Sequence, residues 1–145
     1  MTKKAIRLVA VMLVLALSIS LFSATAYASV NSSAYISMTS ASATEGNSAG
    51  KINVNYSITG MGMMDTIGVL CIDVYKSNGT LYKTVFGTTS NGLLLNNDFV
   101  HAGTYTVNCV AGNTYYCEVT LIAAKNGGGD TRTIQTQTVV APTSP

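Results

Sequence analysis

Between Lys51 and Thr59 apolar and polar residues alternate without a break. Ile52, Val54, Tyr56 and Ile58 take every second position, and Lys51, Asn53, Asn55, Ser57 and Thr59 take the others. Successive side chains of a strand point to opposite faces, so this run has one buried face and one wet face. On a helix the same four apolar residues would spread around the circumference. The pattern recurs along the chain. Leu70, Ile72 and Val74 oppose Cys71, Asp73 and Tyr75. Tyr105, Val107 and Cys109 share one side of 104–109, and Tyr115, Cys117, Val119, Leu121 and Ala123 share one side of a long later run.

Turn chemistry separates these runs at spacings near ten residues. Residues 45–50 form a polar, glycine-containing break. Asn78-Gly79 is the strongest hairpin signal, because both residues tolerate positive φ. Asn91-Gly92, Ala111-Gly112-Asn113 and Gly127-Gly128-Gly129 interrupt the chain in the same way. A weak first strand is expected over 34–42, with Ile36 and Met38 inside, a returning strand over 81–88, a loop over 96–103 and a last strand over 130–140. Seven or eight short strands at this spacing read as an all-β, antiparallel β-sandwich. The expected core is Ile52, Val54, Tyr56, Ile58, Leu70, Ile72, Val74, Tyr105, Val107, Tyr115, Val119 and Leu121.

The N-terminus has the three parts of an export signal. Lys3, Lys4 and Arg7 supply the positive start, Leu8 to Leu17 an unbroken apolar run, and Ala26-Tyr27-Ala28 an A-x-A cleavage site. The apolar run is shorter than the roughly 20 residues that span a bilayer. The short, lysine-rich form is that of a bacterial signal. Expected boundaries are a signal peptide over 1–28, a lead-in over 29–33, the sandwich over 34–140 and a disordered tail over 141–145. Ser29, not Cys, directly follows the cleavage site and the tail carries no hydrophobic sorting segment, so a released, extracellular product is expected.

Cleavage reverses the charge balance. The whole chain carries a formal +2. Residues 29–145 keep five Lys and Arg against six Asp and Glu, a net charge near −1. No basic patch remains, which argues against a nucleic-acid partner.

Gly112-Asn-Thr-Tyr115-Tyr-Cys-Glu-Val119-Thr-Leu-Ile-Ala123-Ala-Lys-Asn126 resembles the penultimate strand of fibronectin type III-like domains. The resemblance implies a structural tyrosine corner at Tyr115, with Tyr116 as competitor. Met64-Asp-Thr-Ile67-Gly68 and Ile72-Asp-Val-Tyr75, with His101, Tyr105, Tyr115 and Asp130-Thr-Arg132, resemble small, functionally uncharacterised secreted proteins of Gram-positive bacteria. These carry an immunoglobulin-like sandwich, and the resemblance covers residues 33–140. It implies the fold and no catalytic residue, and the three Cys depart from it.

Little in the sequence points to catalysis. His101 is the one histidine, and no G-x-S-x-G elbow accompanies it. A hydrolase would have to use it with Ser90 or Asp98. No C-x-x-C occurs, and one His with three scattered Cys is a poor zinc set. Asp130 after three glycines lacks the companion carboxylates that calcium needs. Glu45 in a turn and Glu118 on an outer face do not make a glycosidase pair. Gly60-Met-Gly62 and Gly127-Gly-Gly129 lack the Lys-Ser/Thr of a phosphate loop. No cofactor and no metal is expected.

What remains are surfaces and thiols. Met61, Met63 and Met64 suit core filling or, less readily, an adaptable surface. Tyr75, Tyr82 and Phe86 are a candidate binding strip on one sheet. Exported thiols meet oxidising conditions. Cys109 and Cys117 fall on inward positions flanking one connection and can bridge, leaving Cys71 over. A Cys71–Cys117 pair conflicts with the expected faces, and three reduced thiols are the other outcome. The functional expectation is a secreted, non-enzymatic binding or structural module that contacts an extracellular protein or glycan. A small hydrolase using His101 and a secreted effector are the alternatives. The cleavage site makes the first prediction: intact-mass measurement of the exported protein gives Ser29 as its first residue, whereas a full-length chain retained in the membrane fraction contradicts it.

Overall fold

A computed structural model describes residues 33–144, so the expected signal segment lies outside the described residues. The described residues form strands and turns with no helix. Seven antiparallel strands are present: β1 (Ile36–Glu45), β2 (Lys51–Lys76), β3 (Leu81–Phe86), β4 (Leu94–Asn108), β5 (Thr114–Lys125), β6 (Gly128–Gln135) and β7 (Val139–Val140).

The strand begun at Lys51 does not stop at the glycines after Thr59. It runs on for 26 residues to Lys76. Its first half, 51–59, lies between β1 and the second half of β4. Its last part, 71–75, lies between β3 and β5. Between these parts it bends, and 66–68 pairs with both β4 and β5. The two halves therefore belong to two layers that share one core. Ile52, Val54, Tyr56 and Ile58 face inward from the first. Ile72 and Val74, with Tyr115, Cys117, Val119, Leu121 and Ala123 of β5, face inward from the second. β6 and β7 complete the second layer along β5. β1 packs against β5, β6 and β7, closing one side of this sandwich-like fold.

The outer face of the first layer is polar and bonded across its strands. Thr104 Oγ1 donates to Asn55 Oδ1 at 2.7 Å, and Thr106 Oγ1 donates to Asn53 Oδ1 at 2.8 Å. These are the wet positions of the Lys51–Thr59 alternation.

The bend depends on two local devices. Thr59 pairs with Val100 and Met64 with Asp98, so four residues of β2 oppose one of β4. This large bulge throws Met61 and Met63 into solvent and turns Met64 into the core. The methionine cluster is thus filler at one position and surface at two. Gly68 is the second device. Its φ is 145°, and a Cβ there would lie 2.2 Å from the carbonyl oxygen of Leu93. That carbonyl accepts the N–H of Val69 at 2.7 Å, so it cannot withdraw freely.

Bulges also explain where the expected faces fail. Met38, expected inside, is 69% exposed, because the β1–β2 register shifts between Ile36 and Met38. One extra residue moves every later side chain to the other face, and Ala43 is the buried residue further along β1. Leu70, expected in the core, is 40% exposed. It is the extra residue between Val69, opposite Leu121, and Cys71, opposite Thr120, so Val69 takes the core position. Residues 96–103 are strand rather than loop, because β2 supplies paired backbone along them. Tyr105 is half-buried rather than fully inside. The expected last strand is split, with β6 starting at Gly128 and β7 confined to Val139–Val140.

Gly68 carries both a disfavoured φ and a backbone obstruction, whereas a Cβ added at Gly92 (φ 76°) would meet nothing within 4 Å. Gly92→Ala should therefore cost about 1 kcal/mol in chemical denaturation and Gly68→Ala clearly more. Equal losses would remove Gly68 from its place at the bend.

Candidate functional site

The second layer turns its outer face to solvent, and the register assembles that face row by row. Thr84, Asp73, Glu118 and Gln135 lie side by side across β3, β2, β5 and β6. Phe86, Cys71, Thr120 and Thr133 form the next row. On the other side of the acidic row Tyr75 of β2 sits directly opposite Tyr116 of β5. Their rings stack, with centroids 5.2 Å apart and planes 12° from parallel.

The carboxylates are held by neighbours on the same face. Thr84 Oγ1 donates to Asp73 Oδ1. Cys71 Sγ lies 4.0 Å from Asp73 Oδ2. Tyr75 and Glu118 are diagonal neighbours on this face. Loss of surrounding water pushes the Tyr75 hydroxyl above its ordinary pKa, and the nearby Glu118 and Asp73 charges push it the same way. Tyr75 therefore stays a neutral donor throughout the neutral range. Beyond the tyrosine pair, Lys76, Ser77, Asn78, Gly112, Asn113 and Thr114 line a shallow groove of about 370 Å³ between two turns.

The expected aromatic strip is redrawn by this geometry. Tyr75 and Phe86 do share the outer face, and Phe86 is 72% exposed. Tyr82 does not join them. The β2–β3 register shifts between Val74 and Tyr75, and the Tyr82 ring lies 5.2 Å from that of Tyr115, which belongs to the core. Tyr116 takes its place beside Tyr75. No short-range signal announces that partnership, because the residues are joined only by the β2–β5 register.

His101 lies on β4, and its ring has a structural position. Nε2 is 2.8 Å from the Gly92 carbonyl oxygen, which can only accept, so Nε2 carries the proton and donates. The Tyr56 hydroxyl also reaches that carbonyl at 3.3 Å, and the Tyr56 ring meets the imidazole edge-on at 5.2 Å. Asp98 Oδ1 instead accepts the N–H groups of Phe99 and Val100, at 2.7 and 3.3 Å. Ser90 sits exposed in the preceding turn. Asp130 is engaged by Ser33 Oγ. Among the described residues no group of three or more His, Cys, Asp or Glu side chains is placed to hold a metal.

All three thiols are free in the structure, so the expected Cys109–Cys117 bridge is not formed there. Cys117 is buried in β5, and Cys109, just past the end of β4, is half-buried. Burial pushes both pKa values up, that of Cys117 to about 12.

No family model and no curated protein matches the chain. Among solved structures, the apo structure of Bacteroides uniformis beta-glucuronidase 3 aligns at a TM-score of 0.40 and 10% identity. The alignment covers 69% of this chain and spans 12% of that one. A likeness of this size carries no functional argument.

Tyr115 is buried, and its hydroxyl accepts the backbone N–H of Val110, five residues upstream, at 3.1 Å. The bond pins the turn beside the groove. Tyr115→Phe should lower stability by about 1 kcal/mol in equilibrium unfolding, and an unchanged midpoint would show that the bond is not worth its burial.

Proposed function

We propose that the chain is a secreted, non-enzymatic binding or structural module with a β-sandwich of immunoglobulin or fibronectin type III type. It would act at the cell surface or in the extracellular space, on a protein or glycan. The export-like segment over 1–28 motivates the location. The sandwich type draws support from Tyr115, whose hydroxyl meets backbone upstream and which lies two residues before Cys117, as in a tyrosine corner.

One observation carries the binding reading: the Tyr75–Tyr116 stack beside Asp73 and Glu118 on an open sheet face. Tyrosine offers a large contact area with two rotatable side-chain bonds and a polar tip, so it orders cheaply on binding. The carboxylates beside it accept hydrogen bonds from sugar hydroxyls or peptide donors. The hydrolase alternative is weakened by His101, whose Nε2 is directed to the Gly92 carbonyl while Asp98 binds backbone. Asp73 and Glu118 are neighbours on a flat face, not carboxylates facing across a cleft.

A binding assay of the exported protein against its own cell surface, cell-wall glycans and extracellular matrix proteins tests this reading. Tyr75→Ala and Tyr116→Ala should each weaken saturable binding about tenfold or more, the effect of losing a central aromatic contact. Tyr82→Ala should leave affinity nearly unchanged. Hydrolysis abolished by His101→Ala would overturn the proposal.

A further inference from the structure

The outer faces of the two layers are finished differently. On the first, Thr104 and Thr106 donate to Asn55 and Asn53, so neutral groups satisfy one another across strands. On the second, Asp73 of β2 stands directly opposite Glu118 of β5. Directly opposed side chains have Cβ atoms about 5 Å apart, and like charges in that position repel. Thr84 Oγ1 donates to one oxygen of Asp73, and a neutral hydroxyl offsets only part of such a repulsion. The cations of these strands lie in the other register. Lys76, Lys83 and Arg132 stand opposite Tyr115, Val74 and Leu121, which are core residues, and Lys125 pairs with Gly128 at the end of β5. Three outer rows are thus laid side by side: Phe86, Cys71, Thr120 and Thr133; Thr84, Asp73, Glu118 and Gln135; and the pair Tyr75 and Tyr116. They hold two carboxylates and no Lys or Arg.

We propose that this face docks an arginine side chain presented by a partner protein, its guanidinium bridging Asp73 and Glu118 beside the Tyr75–Tyr116 stack. The inference rests on the binding reading of the face and adds the chemistry of the partner. Charge selects a cation. A positive group between the two carboxylates removes the repulsion that the chain carries alone. A neutral sugar forms hydrogen bonds there but leaves the repulsion in place. Geometry selects arginine over lysine. A guanidinium presents five N–H donors in one plane and can bond two carboxylates at once, whereas an ammonium is a compact point charge. The tyrosine pair stands in the next row, two residues along each strand and about 7 Å away. It offers aromatic carbon to the flat guanidinium and to its alkyl stem. Phe86, exposed in the row on the other side, can take an apolar neighbour of that arginine.

The test titrates the exported protein with three capped peptides of equal length, alternating serine with arginine, lysine or citrulline. Citrulline keeps the shape of arginine without its charge. The arginine peptide should bind saturably, the lysine peptide several-fold more weakly and the citrulline peptide not at all. Binding that does not distinguish arginine from the other two overturns the proposal. Asp73→Asn and Glu118→Gln should each lower affinity for the arginine peptide about tenfold. Glu45→Gln, which removes an equal charge at the end of β1, should not. Equal losses in all three would mean attraction to overall charge and would overturn the proposal. Thermal unfolding guards against a misfolded variant. Glu118→Gln should raise the midpoint of the free chain, because it removes one of two opposed charges, and should abolish the further rise that the arginine peptide gives the unmodified chain. A lower midpoint for free Glu118→Gln contradicts the repulsion on which the proposal depends. Suppose that cell-wall glycans bind, and that Tyr75→Ala and Tyr116→Ala weaken this while Glu118→Gln does not. The arginine proposal then falls and the binding face stands. If the tyrosine variants bind cell surface, glycans and matrix proteins as well as the unmodified chain does, both fall.

Discussion

The backbone of β2 runs through both layers, and β1, β3, β4 and β5 all hydrogen-bond to it. A strand flanked on both edges has its N–H and C=O groups consumed by partners, so the position of each neighbour follows from the course of β2. That course turns on the bulge over 60–63 and on the close passage of Gly68 beneath the Leu93 carbonyl. A straight β2 would extend one flat sheet and leave both apolar faces wet. Bent, it folds the inward residues of its two halves onto one another, and apolar burial then stabilises the bend that made it possible.

The outer face of the second layer follows from the same frame. Cross-strand neighbours on one face of a sheet sit about 5 Å apart, so register alone decides who meets whom. Here it places two carboxylates directly opposite one another, an arrangement that is unfavourable unless something offsets it. Thr84 donates to Asp73, which disperses part of that charge. A rigid sheet therefore holds aromatic rings and acceptors in a fixed pattern facing solvent. The opposite layer shows a different solution, with Thr and Asn side chains satisfying one another across strands.

His101 illustrates how a chemically suggestive residue acquires a structural position. As the one histidine it invites a catalytic reading from sequence. The fold places it where its Nε2–H meets a turn carbonyl and its edge meets Tyr56, so it ties the turn preceding β4 to the first layer. Tyr56 lies 45 residues from it in sequence, and the contact with Gly92 depends on how the turn folds back on β4, which is why composition and spacing give no hint of this.

Strict alternation is the most legible feature. Ile52 to Ile58 and Tyr115 to Ala123 are buried at every second position, because a strand paired on both edges has only two faces and burial selects one. The glycine-containing turns at 78–79, 91–92 and 111–113 are legible for a similarly local reason, the tolerance of positive φ. Where one residue is inserted, local reading fails. Met38 and Leu70 have the hydrophobicity of core residues, but a bulge is a property of the pairing between two strands and leaves no mark on either one. The Tyr75–Tyr116 stack belongs to the same class. Strands, turns and most inward faces are thus written into the order of residues, since they depend on interactions within a few positions. Which strands became neighbours, and in what register, was settled on folding alone, because those contacts form between segments that share no local constraint.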